Sequence, residues 1–280
     1  MHRVIIYSIL ILIAASCSEV PVVLPEKPSV TAGKVILVED VTGVDCSNCP
    51  RAVRRLEEIG AQFPGSLVLV GIHGSQQTAP IPDKSLYDFR NDDAIFLEEY
   101  LKPWNGKPSA IFNRRQFSDE QNFGISLLTR FQPKVEELLQ EPLFIEITPT
   151  YSYDAETRAL RLTAQVENVF GGILEGDYKI SAMILESHII DYQLDADFGN
   201  YDPNYEHNHV LRDVISNVTG DDFASAMVPG EVLSKTWDYT IPTDEQGLWN
   251  DENLEVVVFV TDETDGSKEV LQAAKVKITK

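Results

Sequence analysis

The chain has 280 residues, 23 basic and 44 acidic, for a formal charge of −21, with three cysteines in all. Residues 143–280 hold 9 of the basic and 26 of the acidic side chains, so nucleic acid and anionic lipid are excluded as partners of that half. The length exceeds what a single core commonly fills, so two domains are expected.

Residues 1–16 place Arg3 before the apolar run Val4 to Ala15, a signal-peptide pattern too short to span a bilayer. The run ends in Ile13-Ala14-Ala15-Ser16-Cys17, small residues before a cysteine. That ending resembles a bacterial lipobox, which predicts cleavage before Cys17 and a lipid on its side chain. Residues 17–32 then read as lipidated cysteine and tether. The mature protein is left with two free thiols, Cys46 and Cys49, in a compartment where disulfides persist.

Lys34-Val35-Ile36-Leu37-Val38 is a nearly continuous β-branched run, as expected of a strand covered on both faces. After Glu39-Asp40 a short loop, Val41 to Asp45, leads to Cys46-Ser47-Asn48-Cys49-Pro50. Val53, Leu56 and Ile59 recur at helical spacing, and Pro50 suits a first helical turn. Leu67 to Ile72 reads as a second buried strand, making a β-CxxC-α-β unit. A helical pattern around Ala94 to Leu101, the run Gly106 to Asn113 around Pro108, and a closing helix from Pro133 to Gln140 follow. This order resembles thioredoxin-like proteins over residues 33–141.

Near Glu141-Pro142 the pattern turns to strand and turn. Phe144–Tyr153, Ala159–Glu167, Tyr178–Leu185, Val210–Ile215, Val232–Ile241, Leu254–Thr261 and Val270–Ile278 are the candidate strands, with a hairpin signal at Asp265-Gly266. About seven strands over residues 143–280 suggest an immunoglobulin-like sandwich. The expected fold is an α/β thioredoxin-like domain followed by an all-β immunoglobulin-like sandwich.

A thiol at a helix N-terminus faces unpaired N–H groups and the positive end of the dipole, which favour thiolate. Cys46 is the expected nucleophile, helped by Arg51, Arg54 and Arg55, with Cys49 resolving the mixed disulfide. Asp45 opposes thiolate formation by its charge. Asp40, six residues before Cys46, stands where thioredoxins place a buried proton-transferring acid, and Glu39 competes for that role. Pro108 is expected to shape a peptide groove facing the dithiol. The bland reading is a structural crosslink, although a four-residue loop stabilises by only about 2 kcal/mol in the chain-entropy model. No cofactor is called for, and two thiols do not make a zinc site. His207 and His209 fall on one face if extended, either a metal pair or a hydrogen-bonded loop. Asp195, Asp197, Asn200, Asp202 and Asn204 crowd oxygens into one connection as a calcium loop would, without EF-hand spacing.

Val38 to Pro50, followed much later by Tyr205-Glu206-His207-Asn208-His209-Val210-Leu211-Arg212-Asp213, resembles the outer-membrane protein 28-type lipoproteins of Bacteroidota. The resemblance implies an outer-membrane lipoprotein, lipid-anchored and facing either the periplasm or the outside, with no settled activity. The expected function is thiol-disulfide exchange on exported proteins with cysteines or disulfides, catalysed by Cys46, Cys49, Asp40 and Pro108. The alternative is a non-enzymatic surface binding protein with a vestigial disulfide. Oligomeric state is left open.

Overall fold

The computed structural model describes residues 30–243 and 248–279; the expected signal peptide, Cys17 and most of the expected tether lie outside them. The first half runs β1 (Ile36–Val41), α1 (Cys49–Gln62), β2 (Leu67–Ile72), α2 (Asp92–Tyr100), β3 (Ser109–Phe112) and α3 (Phe131–Leu139). The second half is β4 (Ile145–Asp154), β5 (Ala159–Asn168), β6 (Leu174–Glu186), β7 (Ile189–Asp195), β8 (Asn200–His207), β9 (Val210–Val214), β10 (Asp221–Met227), β11 (Val232–Thr240), β12 (Leu254–Asp262) and β13 (Glu269–Lys277).

Strand β1 pairs in parallel with β2, Ile36 opposite Leu67, and antiparallel with β3, Val38 opposite Phe112. Alternation on β1 sends Ile36 and Val38 into a core shared with Leu56, Ile59, Phe131 and Leu138 of α1 and α3. Leu37 and Val41 point the other way. Helix α1 carries Pro50 in its first turn. Its buried stripe is Cys49, Ala52, Leu56 and Ile59, with Ala52 rather than Val53 against the core. Helix α2 is capped by Asn91, whose Oδ1 accepts the Ala94 N–H at 2.7 Å.

Every candidate strand after residue 143 is present. Sheet β11-β5-β4 packs against β6 and β12, and Leu162, Ala164 and Val166 meet Ile180, Ile184, Val256 and Val258 in one core. This is a two-layer β-sandwich. The sequence change near Glu141-Pro142 marks a change of architecture but no break in packing. The large sheet runs β13-β12-β6-β9-β2-β1-β3, so both halves contribute to it. They join where Gly71 of β2 pairs with Val210 of β9, the Gly71 N–H reaching the His209 carbonyl at 2.7 Å. The expected pair of separately packed domains is corrected accordingly. Leu37, Val70, Leu97 and Ile111 share a core with Met183, Leu211, Val257 and Phe259. Because β12 is covered on both faces, its Val256-Val257-Val258-Phe259-Val260 run is buried without alternation.

The ends of this sheet meet. The Val270 N–H of β13 donates to the Asn113 carbonyl at 2.8 Å, and the Leu37 N–H donates to Asn113 Oδ1 at 2.8 Å. Asn113 and Arg114 both take positive φ, 47° and 49°, a turn that brings the Arg114 side chain into the interior. There its guanidinium binds both Glu39 oxygens, at 2.8 and 2.7 Å, with both side chains fully buried.

Two elements depart from the sequence reading. Residues 189–207, expected as a connection with calcium-loop character, form the hairpin β7-β8, and β10 pairs with β6. In β7 the usual pattern is inverted: Asp191, Gln193 and Asp195 are buried while Ile190 is exposed. Pro203 and the Asp/Asn content of β8 also argue against a strand.

Candidate functional site: a covered dithiol and a buried acid

The loop between β1 and α1 carries the site. Gly43 has no substitute there, because a Cβ would stand 2.3 Å from the Gln77 carbonyl oxygen. That contact lets the Asp45 N–H donate to Gln77 O at 2.9 Å. The chain then turns, Cys46 N–H to Gly43 O at 3.1 Å and Cys49 N–H to Cys46 O at 3.2 Å, into α1. Cys46 and Cys49 are joined as a disulfide, and both are buried, at 2% and 1% exposure.

Their cover is hairpin β7-β8. The Leu194 N–H donates to Val44 O at 2.8 Å and the Ala196 N–H to Ser47 O at 2.9 Å. The Gln193 amide donates to the Gly43 and Cys46 carbonyls, both at 3.2 Å. The Tyr201 hydroxyl donates to Asp45 Oδ1 at 2.7 Å. Arg51 binds Asp197 at 2.5 Å, and Arg54 reaches Asp195 at 2.8 Å and Asp197 at 2.5 Å. Burial raises the Asp195 carboxyl, but the Arg54 hydrogen bond, the Asp197 N–H and the Arg54 charge together outweigh it and hold the group below the usual carboxylate range. Arg51 and Arg54 are therefore neutralised by aspartates rather than aimed at the thiols. Arg55 lies against Glu58 and Gln132. The expected basic field around Cys46 is corrected on both counts, and Asp195 and Asp197 of the oxygen-rich stretch are ion-paired.

Asp40 sits on the α1-facing side of β1 at 4% exposure, with neither carboxylate oxygen hydrogen-bonded among the described residues. It lines a small cavity of about 30 Å³ with Pro50, Leu56, His73, Gln193 and Tyr205, room for about one water. Burial pushes its carboxyl up to about 7, against the opposing pull of Lys107. Strand alternation decides between the two acids: Glu39 points to the opposite face and is consumed by Arg114.

Pro108 is buried and follows a cis peptide bond. Between it and the dithiol loop lies Ser75–Thr78. The Thr78 hydroxyl is 3.1 Å from Lys107 Nζ and 3.5 Å from Thr42 O. The Lys107 ammonium, fully buried, pairs with Glu98 at 2.9 Å. Ser75–Thr78 thus bridges the Lys107 side chain, next to Pro108, to the loop that precedes Cys46. His207 packs its ring on Phe89 and Tyr205, each 4.7 Å away, and burial lowers it to about 3. His209, at φ 57°, faces Glu255 instead. No cluster of metal-ligating side chains occurs among the described residues.

Gln193 and Tyr201 were not singled out from sequence, and Tyr205 entered only as the first residue of the Tyr205–Asp213 motif. The period-two spacing of Asp191, Gln193 and Asp195 was the available signal, with its polarity inverted.

A family model described as outer membrane protein Omp28 matches residues 98–280, more than half of the chain. The chain belongs to the Omp28 family. Among solved structures, the Omp28-family chain is similar to HBP35 of Porphyromonas gingivalis, at 12% identity over 89% of this chain and 77% of that one, TM-score 0.64. A protein of Agrobacterium tumefaciens matches at 11% identity over 87% and 94%, TM-score 0.51. Both likenesses are of fold. A domain of the outer membrane lipoprotein Omp28 from Porphyromonas gingivalis matches at 19% identity over 50% and 91%, TM-score 0.34. No curated protein matches the chain. Membership in Omp28 makes this an outer membrane protein, and no helix among the described residues is long and apolar enough to cross a bilayer.

Proposed function

We propose that the chain is a lipid-anchored thiol-disulfide oxidoreductase for exported protein cysteines, with hairpin β7-β8 closing the dithiol in the state described. The observation that carries this reading is Asp40. A buried, unpartnered carboxyl destabilises a fold, and an inert crosslink has no use for one beneath its helix. A dithiol has a use, because the resolving cysteine must gain or lose a proton in each turnover.

In this reading the first half is thioredoxin-like and the sandwich immunoglobulin-like. A partner thiolate attacks Cys46 Sγ, the Cys46–Cys49 bond breaks, and the Cys49 thiolate takes its proton from Asp40. A second partner thiol then displaces Cys46, leaving a partner disulfide and a reduced pair. Run backwards, the same steps reduce a partner, with Asp40 accepting the Cys49 proton. The α1 N-terminus stabilises whichever thiolate forms.

The test is the reduction potential of the pair together with trapping in Cys49→Ser. A value between about −120 and −270 mV, the span of known catalysts, with a Cys46-linked mixed disulfide supports exchange. A value well below about −300 mV with nothing trapped assigns a structural bond.

The cover over both cysteines favours a second reading, a surface binding protein with a structural disulfide. Opening the latch separates the two. Arg51→Ala/Arg54→Ala removes the ion pairs to β7-β8 and is expected to speed reduction by dithiothreitol on the order of tenfold. Raising salt to about 0.5 M moves the intact protein in the same direction, since half-exposed pairs are screened. Equal rates in both proteins at low and high salt would sink the latch.

A further inference from the structure

One end of the sandwich is apolar and uncovered. Val169, Phe170 and Ile173 stand on the turn between β5 and β6, and Val228 and Val232 on the turn between β10 and β11, each between 38% and 61% exposed. A single buried side chain ties the two turns together. Asn168 donates to the carbonyls of Gly172 and Met227, both at 2.8 Å, accepts the Phe170 N–H at 2.9 Å, and its carbonyl takes the Gly230 N–H at 2.9 Å. Gly171 and Gly230 supply the positive φ, 84° and 73°, that the turns require. The apolar side chains of both turns are thereby held exposed at one tip of the sandwich.

The tip lies beside the place where the described chain begins. The Val169 N–H binds the Phe144 carbonyl at 3.0 Å, and the Phe170 ring packs 4.8 Å from Phe144. One residue earlier, Leu143 stands where a Cβ on Gly33 would lie 3.3 Å from its Cδ2, and the Thr31 N–H binds Leu139 O at 2.8 Å. Between Cys17 and Val30 the chain reaches at most about 45 Å. A lipid on Cys17 therefore keeps this end of the sandwich within reach of a bilayer.

We propose that the tip is a membrane-docking wedge, seated in the headgroup and upper acyl layer of a zwitterionic lipid surface. The inference rests on the lipid-anchor reading of Cys17. Two features select lipid over protein. The exposed side chains are Val, Ile and Phe, without the Trp, Tyr and Arg anchors that carry protein interfaces. Residues 167–175 and 226–234 contain Glu but no Lys or Arg, so an anionic headgroup is unsuitable. Docking would fix the orientation of the sandwich on the membrane, whereas a tether alone leaves it free.

The test uses the lipidated full chain on phosphatidylcholine vesicles with brominated acyl chains. Phe170→Trp is compared with Leu86→Trp, an exposed position on the loop held by Asp191 of β7. The three native tryptophans are a common background. Bromine is expected to quench the emission added at position 170 by at least twofold and to leave that at position 86 unchanged. If Phe170→Trp does not fold, Ile173→Trp carries the same readout. Equal emission with and without bromine overturns the proposal, as does shielding that depends on protein concentration rather than lipid, which assigns the tip to a second copy. A mature protein whose mass shows no lipid at Cys17 overturns it as well. The reduction potential of the dithiol is independent of all these outcomes, so a failure here leaves the exchange reading standing.

Discussion

Asp40→Asn is expected to raise the thermal midpoint at pH 8 by roughly 10 °C while slowing exchange through Cys49 about a hundredfold. The folded carboxyl titrates at about 7, above its value of about 3.9 in an unfolded chain. Stability from this group is therefore full below about pH 4 and is lost as pH rises towards 7, because the folded state holds its proton longer. Three pKa units correspond to about 4 kcal/mol, and a protein of this size moves by about 2–4 °C per kcal/mol. Asparagine carries no charge to bury, so the two proteins should agree near pH 4, diverge between pH 4 and 7, and run parallel above. Melting curves of both at pH 4, 6 and 8 check the stability limb. The exchange rate of the parent should inflect near pH 7 and that of the variant should not. Coincident melting curves across the whole range would remove Asp40's special status, and with it the main support for the oxidoreductase reading.

Arg114→Met is expected to lose about 3–5 kcal/mol in urea unfolding, among the largest single-residue effects in the molecule. It leaves the Glu39 carboxyl without its partner in the interior, where both side chains are fully buried. The guanidinium also lies 4.8 Å from the Phe259 ring, so β1, the turn after β3, and β12 all meet through it. Removing both charges, Glu39→Leu/Arg114→Met, should restore much of the loss, since an apolar pair of similar volume needs no desolvation. A double variant as unstable as the single one would show that the pair is needed for its geometry rather than its charge balance. Neither variant touches the dithiol, and the potential of Cys46–Cys49 should stay where it is.

The β1-α1-β2 unit was legible because each signal is local: a β-branched run, two cysteines with proline in the first turn, and apolar residues at helical spacing. The second-half strands were legible for the same reason, for instance Leu160, Leu162, Ala164 and Val166 alternating with polar neighbours on β5. The hairpin was not, because its buried face is built from Asp191, Gln193 and Asp195, whose partners are distant in the chain: the Leu86 and Tyr87 N–H groups, the Gly43 and Cys46 carbonyls, and Arg54 of α1. The unbroken Val256 to Val260 run did carry a clue to a strand covered on both faces. What covered its second face was the first half of the chain.

By itself, the sequence determined the elements and the chemistry available to them: a dithiol opening a helix, an acid six residues upstream, an acidic strand-rich second half. Only the tertiary structure separated the two acids, since strand alternation turns Asp40 towards α1 and hands Glu39 to Arg114. It also decided that the dithiol is closed. Whether a thiol pair is open to a partner depends on what distant segment lies over it, and the spacing of Cys46 and Cys49 along the chain holds no record of Gln193.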